Sequence, residues 1–385
     1  MSSPPVPASI PVLRWAAYRA RKTDIELELR FPKWPRWISG EARPTLKQLE
    51  SFALFTHTPF GYFFLPEPPR LSLPLPDFRT LRDQELTEPS PELLDLIFLC
   101  QQRQDWYRDH ARLHGESALP FVGSANTDEA PSAVAQRMRE TLRLSIQERC
   151  QMASWEEALR QLIARAEDAG VLVMTSAVVG SNSHRKLDVG EFRGFAMADT
   201  LAPLVFLNGA DSKAAQMFSL GHELAHIWLG VSGVSDAIAG RVPLKKTERW
   251  CNQVAAELLM PMEDLHKVYN AQFPLQEELQ RLARVFKVST LVVLRRLHDA
   301  GFLSEDRLWH LYYAEQERLL KYVENRKAGG DFYRSLGART SKRFARAVLT
   351  STLEGTTLFR DAYQLLGIRK SSTFLETARK LEVIR

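Results

Sequence analysis

The stretch FSLGHELAHIWLG, residues 218–230, decides how this chain is read. Asp211 or Ser212 caps a helix ahead of it and Gly230 closes that helix. Successive helical residues advance by about 100°, so His222 and His226, four apart, lie about 40° from each other on one face. Glu223 stands about 100° round from His222 and about 60° from His226, beside the imidazole pair and not between its members. Two neutral nitrogen ligands with a carboxylate at their side is the arrangement that H-E-x-x-H encodes for a metal and a base.

A catalytic metal needs a third protein ligand and one open position. The next predicted helix, within TERWCNQVAAELLMP (residues 247–261), offers Glu248 and Glu257. Nine residues separate them, which places them about 180° apart, so one alone can face the metal. Glu248 shares its face with Asn252, Ala255 and Ala256, and the alanines let this helix approach the histidine helix closely. Glu248 is therefore the chosen ligand. Glu257 remains as the alternative, or as a residue that forms an ion pair or orients a ligand. This donor set predicts zinc, which acidifies water and polarises a carbonyl. The predicted reaction is peptide-bond hydrolysis, with Glu223 carrying a proton from water to the leaving amine.

Upstream, VLVMTSAVVG (171–180), FRGFAMAD (192–199) and LVFLN (204–208) read as strands. LVFLN is expected to present an edge to an extended substrate. Asn208 then reaches the substrate backbone, or else serves as the turn residue of Asn208-Gly209. His184, His266 and Tyr269 are candidates for stabilising the transition state, with no assignment among them. The fold class expected is α+β and mostly helical, with a small sheet packed on the H-E-x-x-H helix and helical domains on either side.

Residues 1–65 read as a small helical unit. Thr23 and Thr45 are candidate caps, and Leu46, Leu49, Phe52 and Ala53 form one apolar face. Residues 66–150 are a proline-rich linker, beginning LPEPPRLSLPL at Leu65, followed by a helical connector. Residues 151–265 hold the metal domain. Residues 266–385 are helical and basic, with a break at Val288-Ser289 and a hinge candidate at Gly329-Gly330.

The chain nets +5, and the charge is uneven. Residues 1–80 carry 11 Lys/Arg against 7 Asp/Glu, and residues 326–385 carry 13 against 5, so any contact with DNA falls to the ends. Cys100, Cys150 and Cys251 are an odd, widely spaced set, which excludes a disulfide framework. The start lacks a signal-peptide pattern, and no apolar run is long enough to span a membrane. A cytoplasmic location is expected.

FSLGHELAHIWLG followed by TERWCNQVAAELLMP resembles the ImmA/IrrE family of metallopeptidases, over residues 155–265. The resemblance implies that His222, His226 and Glu248 bind zinc in a gluzincin-like centre and that Glu223 is the base. Ile38-Ser39-Gly40-Glu41 with Pro44-Thr45-Leu46 resembles the Xre-type helix-turn-helix fused to such peptidases. It departs from that module at Pro32 and Pro35, because proline removes a helical hydrogen bond where a recognition helix should run. The resemblance further implies an endopeptidase acting on a helix-turn-helix transcriptional repressor. The alternative it implies is a DNA-binding regulator, or an antitoxin bound to its cognate toxin, that acts without proteolysis.

Overall fold

A computed structural model describes residues 4–78, 88–235, 243, 245–323 and 332–384. The chain divides into two compact units, one of Met1–Pro74 with Leu81–Phe98, the other of Leu75–Thr80 with Leu99–Arg385.

The first unit contains α1 (Ile10–Arg19), α2 (Asp24–Arg30), α3 (Trp34–Ile38) and α4 (Leu46–Thr56), then a 3-10 turn at Phe60–Phe64. Thr23 with Glu26, and Thr45 with Gln48, form reciprocal capping boxes that satisfy amides at the starts of α2 and α4. Val12, Leu13, Leu27, Trp37, Leu49, Phe52 and Phe63 make a closed core, with Trp34 stacked on Phe52 at 5.3 Å. Leu46 lies outside that core and is exposed. Pro35 falls at the N-terminal end of α3, where its missing N–H costs no helical bond. With only five residues, α3 is too short to lie along a groove as a recognition helix does.

Helix α5 (Pro91–Leu113) leads into α6 (Pro131–Thr141), α7 (Ile146–Gln151) and α8 (Trp155–Asp168). The sheet follows, as β1 (Leu172–Ser176), β2 (Gly194–Met197) and β3 (Leu204–Asn208). After it come α9 (Lys213–Leu229), β4 (Gly233–Ser235) and α10 (Lys246–Leu259). The rest is helical: α11 (Met262–Val268), α12 (Leu275–Phe286), α13 (Thr290–Asp299), α14 (Glu305–Val323), α15 (Phe332–Thr340), α16 (Lys342–Leu353), α17 (Phe359–Leu366) and α18 (Ser371–Lys380). Eighteen α-helices and one four-stranded sheet among the described residues make this a mostly helical α+β fold, as expected. Gly329-Gly330 lies outside the described residues.

The strand order is β1-β3-β2-β4, with β1 parallel to β3 and the other neighbours antiparallel. This corrects the expectation for LVFLN. Strand β3 pairs with β1 on one side and β2 on the other, so its backbone groups are already engaged and it offers no edge. The outer strands of the four are β1 and β4, the latter three residues inside a Gly/Ser-rich stretch with no strand signal of its own.

One face of the sheet receives α9. Helix α9 is buried almost all round, against the sheet, α8 and α10. Ser212 caps it by accepting the Ala215 N–H, and Gly230 ends it with φ 68°, a left-handed geometry that glycine adopts without cost. Gly221 faces Ala255, and a Cβ built there would lie 3.4 Å from the alanine methyl, so two small residues set the close approach of α9 to α10. No helix among the described residues is long and apolar enough to cross a membrane.

Candidate metal centre

His222 and His226 point from α9 towards α10, and Glu248 points back. The two Nε2 atoms are 3.2 Å apart. Glu248 Oε2 is 3.2 Å from His222 Nε2, and Oε1 is 2.9 Å from His226 Nε2. Bonds of about 2.0–2.1 Å in a tetrahedral shell put neighbouring ligand atoms about 3.3 Å apart, close to these separations. Two imidazoles and a carboxylate, all buried, suit zinc in both donor type and number.

The environment orients these ligands. Asn252 Oδ1 lies 2.9 Å from His222 Nδ1 and accepts its N–H, which leaves the Nε2 lone pair free to bind a metal. Burial pulls the His222 imidazole down, and Glu248 more than offsets it, so its pKa is raised. Burial prevails at His226, which is lowered towards the neutral form that a ligand needs. Burial opposes the Glu248 charge, yet the two histidines hold its carboxyl down at about 2.

Glu223 is fully buried, and neither of its carboxylate oxygens has a protein hydrogen-bond partner. Desolvation pushes it up to about 8, against the pull of His222 and of the nearby Ser235 hydroxyl, which falls outside hydrogen-bond geometry. Gly194 of β2 backs onto it; a Cβ there would come within 3.0 Å of Oε1 and of the Phe206 carbonyl. A side chain at residue 194 would therefore press on the carboxylate and on the carbonyl, and one of them would have to shift by a few tenths of an ångström. No sequence signal marked Gly194, since it reads as an ordinary strand glycine.

The other candidates lie elsewhere. Glu257 turns to the far side of α10, where Arg296 Nη2 binds it at 2.7 Å and the Met262 N–H reaches it at 3.4 Å. Asn208 is buried, donating to the Phe192 carbonyl ahead of β2 and accepting from the Ala210 N–H in its own turn. His184 sits in the exposed turn after β1, with its N–H on Asn182. His266 and Tyr269 pack on Phe302. None of these five meets the imidazole pair.

A family-model match supports a metallopeptidase-type domain. Residues 166–298 match the peptidase family model described as the IrrE N-terminal-like domain, a segment that spans the sheet, α9, α10 and the helices to α13. This match supports the ImmA/IrrE family for that segment. Residues 340–380, from the end of α15 through α18, match a family described as a domain of unknown function (DUF8813). The search of curated proteins returned no match.

Proposed function

We propose that this chain is a zinc-dependent endopeptidase that cuts a regulatory protein, and that the protein it cuts is a helix-turn-helix transcriptional repressor. The observation that carries the proposal is the meeting of His222, His226 and Glu248 within 3.2 Å, beside an unpartnered Glu223. His222, His226 and Glu248 are the metal ligands and Glu223 is the general base. Bound zinc supplies a Lewis acid that polarises a carbonyl and makes water acidic.

The chain's own groups supply the rest. Asn252 fixes the ring of His222. Glu223 takes the proton of the attacking water and returns it to the leaving amine, a cycle that needs a carboxyl whose pKa lies near the working pH. Its value of about 8 belongs to the metal-free site, and a neighbouring divalent cation lowers it. His222, His226 and Glu248 are all buried, which keeps bulk water from the ligands.

The basic ends favour a second reading, since residues 326–385 carry 13 Lys/Arg against 5 Asp/Glu. In that reading the chain binds DNA, or a cognate toxin, and regulates without cleaving. Zinc content and repressor cleavage measured for wild type and Glu223→Gln separate the two. Cleavage lost with zinc retained supports the peptidase. Regulation in cells that is unchanged by Glu223→Gln overturns it in favour of the binding role.

A further inference from the structure

Strand β4 has one edge on β2 and the other on a distant piece of the chain. The Val234 N–H donates to the Pro76 carbonyl and the Phe78 N–H donates to the Val234 carbonyl, both at 3.0 Å, so Pro76-Asp77-Phe78 lies along β4 as a short parallel strand. The Phe78 ring then stacks on the ring of His226, with centroids 5.5 Å apart and planes 17° from parallel. Gly233 makes room for it: a Cβ there would fall 2.2 Å from Phe78 Cδ2 and Cε2. Lys245 closes over the segment, with Nζ 2.5 Å from the Asp77 carbonyl and 4.9 Å from the Phe78 ring centroid.

We propose that Pro76-Asp77-Phe78 is an autoinhibitory strap occupying the place of substrate. The true occupant is an extended polypeptide that pairs with Val234 and lays a large aromatic side chain against His226 in place of Phe78. The proposal deepens the peptidase reading and rests on it. Three features carry it. The strap uses the outward backbone groups of Val234, which any extended chain can use. It covers one face of a proposed metal ligand with an aromatic ring. It is also poorly equipped to stay, because Pro74 and Pro76 have no N–H to add to the ladder. A substrate therefore competes with the strap, and its apparent affinity falls by the fraction of molecules in which the strap is docked.

The test uses the full chain in a Glu223→Gln background, so that binding is read without turnover. Two further variants displace the strap in different ways: Phe78→Ala removes the ring, and Gly233→Ala adds the methyl that collides with it. The probes are a short fluorescein-labelled peptide with a single phenylalanine among alanines and serines, followed by anisotropy, and hydrogen exchange at the Val234 amide. Phe78→Ala is expected to bind the peptide about tenfold more tightly, with faster Val234 exchange that slows again when peptide is added. An all-alanine peptide is expected to gain less. Gly233→Ala is expected to speed Val234 exchange as Phe78→Ala does. Unchanged or weaker peptide binding by Phe78→Ala, or Val234 exchange that both variants leave as in wild type, overturns the strap. If the variants bind the peptide as expected but no form carrying Glu223 cleaves the peptide or a repressor, the peptidase reading fails and the segment stands only as the occupant of a peptide-binding edge.

Discussion

Asn252 Oδ1 sits 2.9 Å from His222 Nδ1, one helix telling the other which nitrogen carries the proton. An imidazole that donates from Nδ1 presents a lone pair at Nε2, and it is Nε2 that faces His226 and Glu248. Asn252→Leu removes the acceptor while preserving volume. Zinc affinity is expected to fall about 10–100-fold, the usual cost of losing such a partner. Competition with a chromophoric chelator reads this directly, and an unchanged constant would show that the tautomer is set by something else.

Glu248 and Glu257 share a helix and face opposite ways, one towards the imidazole pair and the other towards Arg296. Glu248→Ala is expected to leave the protein folded and reduce bound zinc to background. Glu257→Ala strips Arg296, buried and bound also to the Met260 carbonyl, of its nearer carboxylate and leaves it only Asp299 at 3.9 Å. Breaking a buried ion pair costs up to about 3–5 kcal/mol, less where a second carboxylate remains, so its unfolding midpoint drops while zinc stoichiometry stays at the wild-type value. Metal analysis of the two dialysed proteins, with denaturant melts, distinguishes them; zinc loss in the Glu257 variant alone would reverse the assignment.

Gly194 governs Glu223 from the opposite element. Gly194→Ala puts a methyl within 3.0 Å of Oε1 and within 3.0 Å of the Phe206 carbonyl. The carboxylate is the more movable of the two, so the expected outcome is a displaced base. The rate constant for peptide hydrolysis falls roughly 100-fold or more, zinc binding remains, and KM moves little. A variant with wild-type turnover would mean that Glu223 does not need its present position.

Asp199 ties the turn between β2 and β3. It accepts the N–H groups of Leu201 and Ala202 and the Arg108 guanidinium at 2.7 Å. Burial opposes its charge, but those donors outweigh burial and hold its carboxyl below the usual range. A depressed carboxyl pKa adds stability above the unfolded value, near 3.9, and that stability is lost as pH falls through the lower folded value. Asp199→Asn is therefore expected to cost about 1.5–3 kcal/mol at pH 7. The gap between variant and wild type should close on acidification below about pH 4. A gap that stays constant down to pH 2 would assign the loss to packing and not to charge.

Local pattern carried much of this protein. Helix α9 could be read because its caps, Ser212 and Gly230, and its histidine spacing are properties of a single helical segment. Alanine at 255 and 256 marked the face of α10 that approaches α9, and so pointed to Glu248 over Glu257. VLVMTSAVVG showed itself as a β-branched and apolar run and LVFLN as an apolar one, while FRGFAMAD, with no β-branched residue, was legible only as a third candidate. What remained hidden depended on pairing across long stretches of chain. Strand β4 is three residues in a Gly/Ser stretch and exists only because β2 lies beside it. The same pairing makes β3 a central strand, although LVFLN alone looks equally fit to be an edge.

The sequence by itself determined the candidate donors: two imidazoles with a carboxylate beside them on one helix, and a choice of two carboxylates on the next. The tertiary structure alone decided the setting. It brought Gly194 against Glu223, turned Asn208 into its own turn, and laid Phe78 on His226 across 148 residues of chain. The reason is physical. Helical spacing is a short-range, periodic property that a single segment expresses, whereas strand order and ring stacking arise from the burial and hydrogen-bond satisfaction of the whole unit.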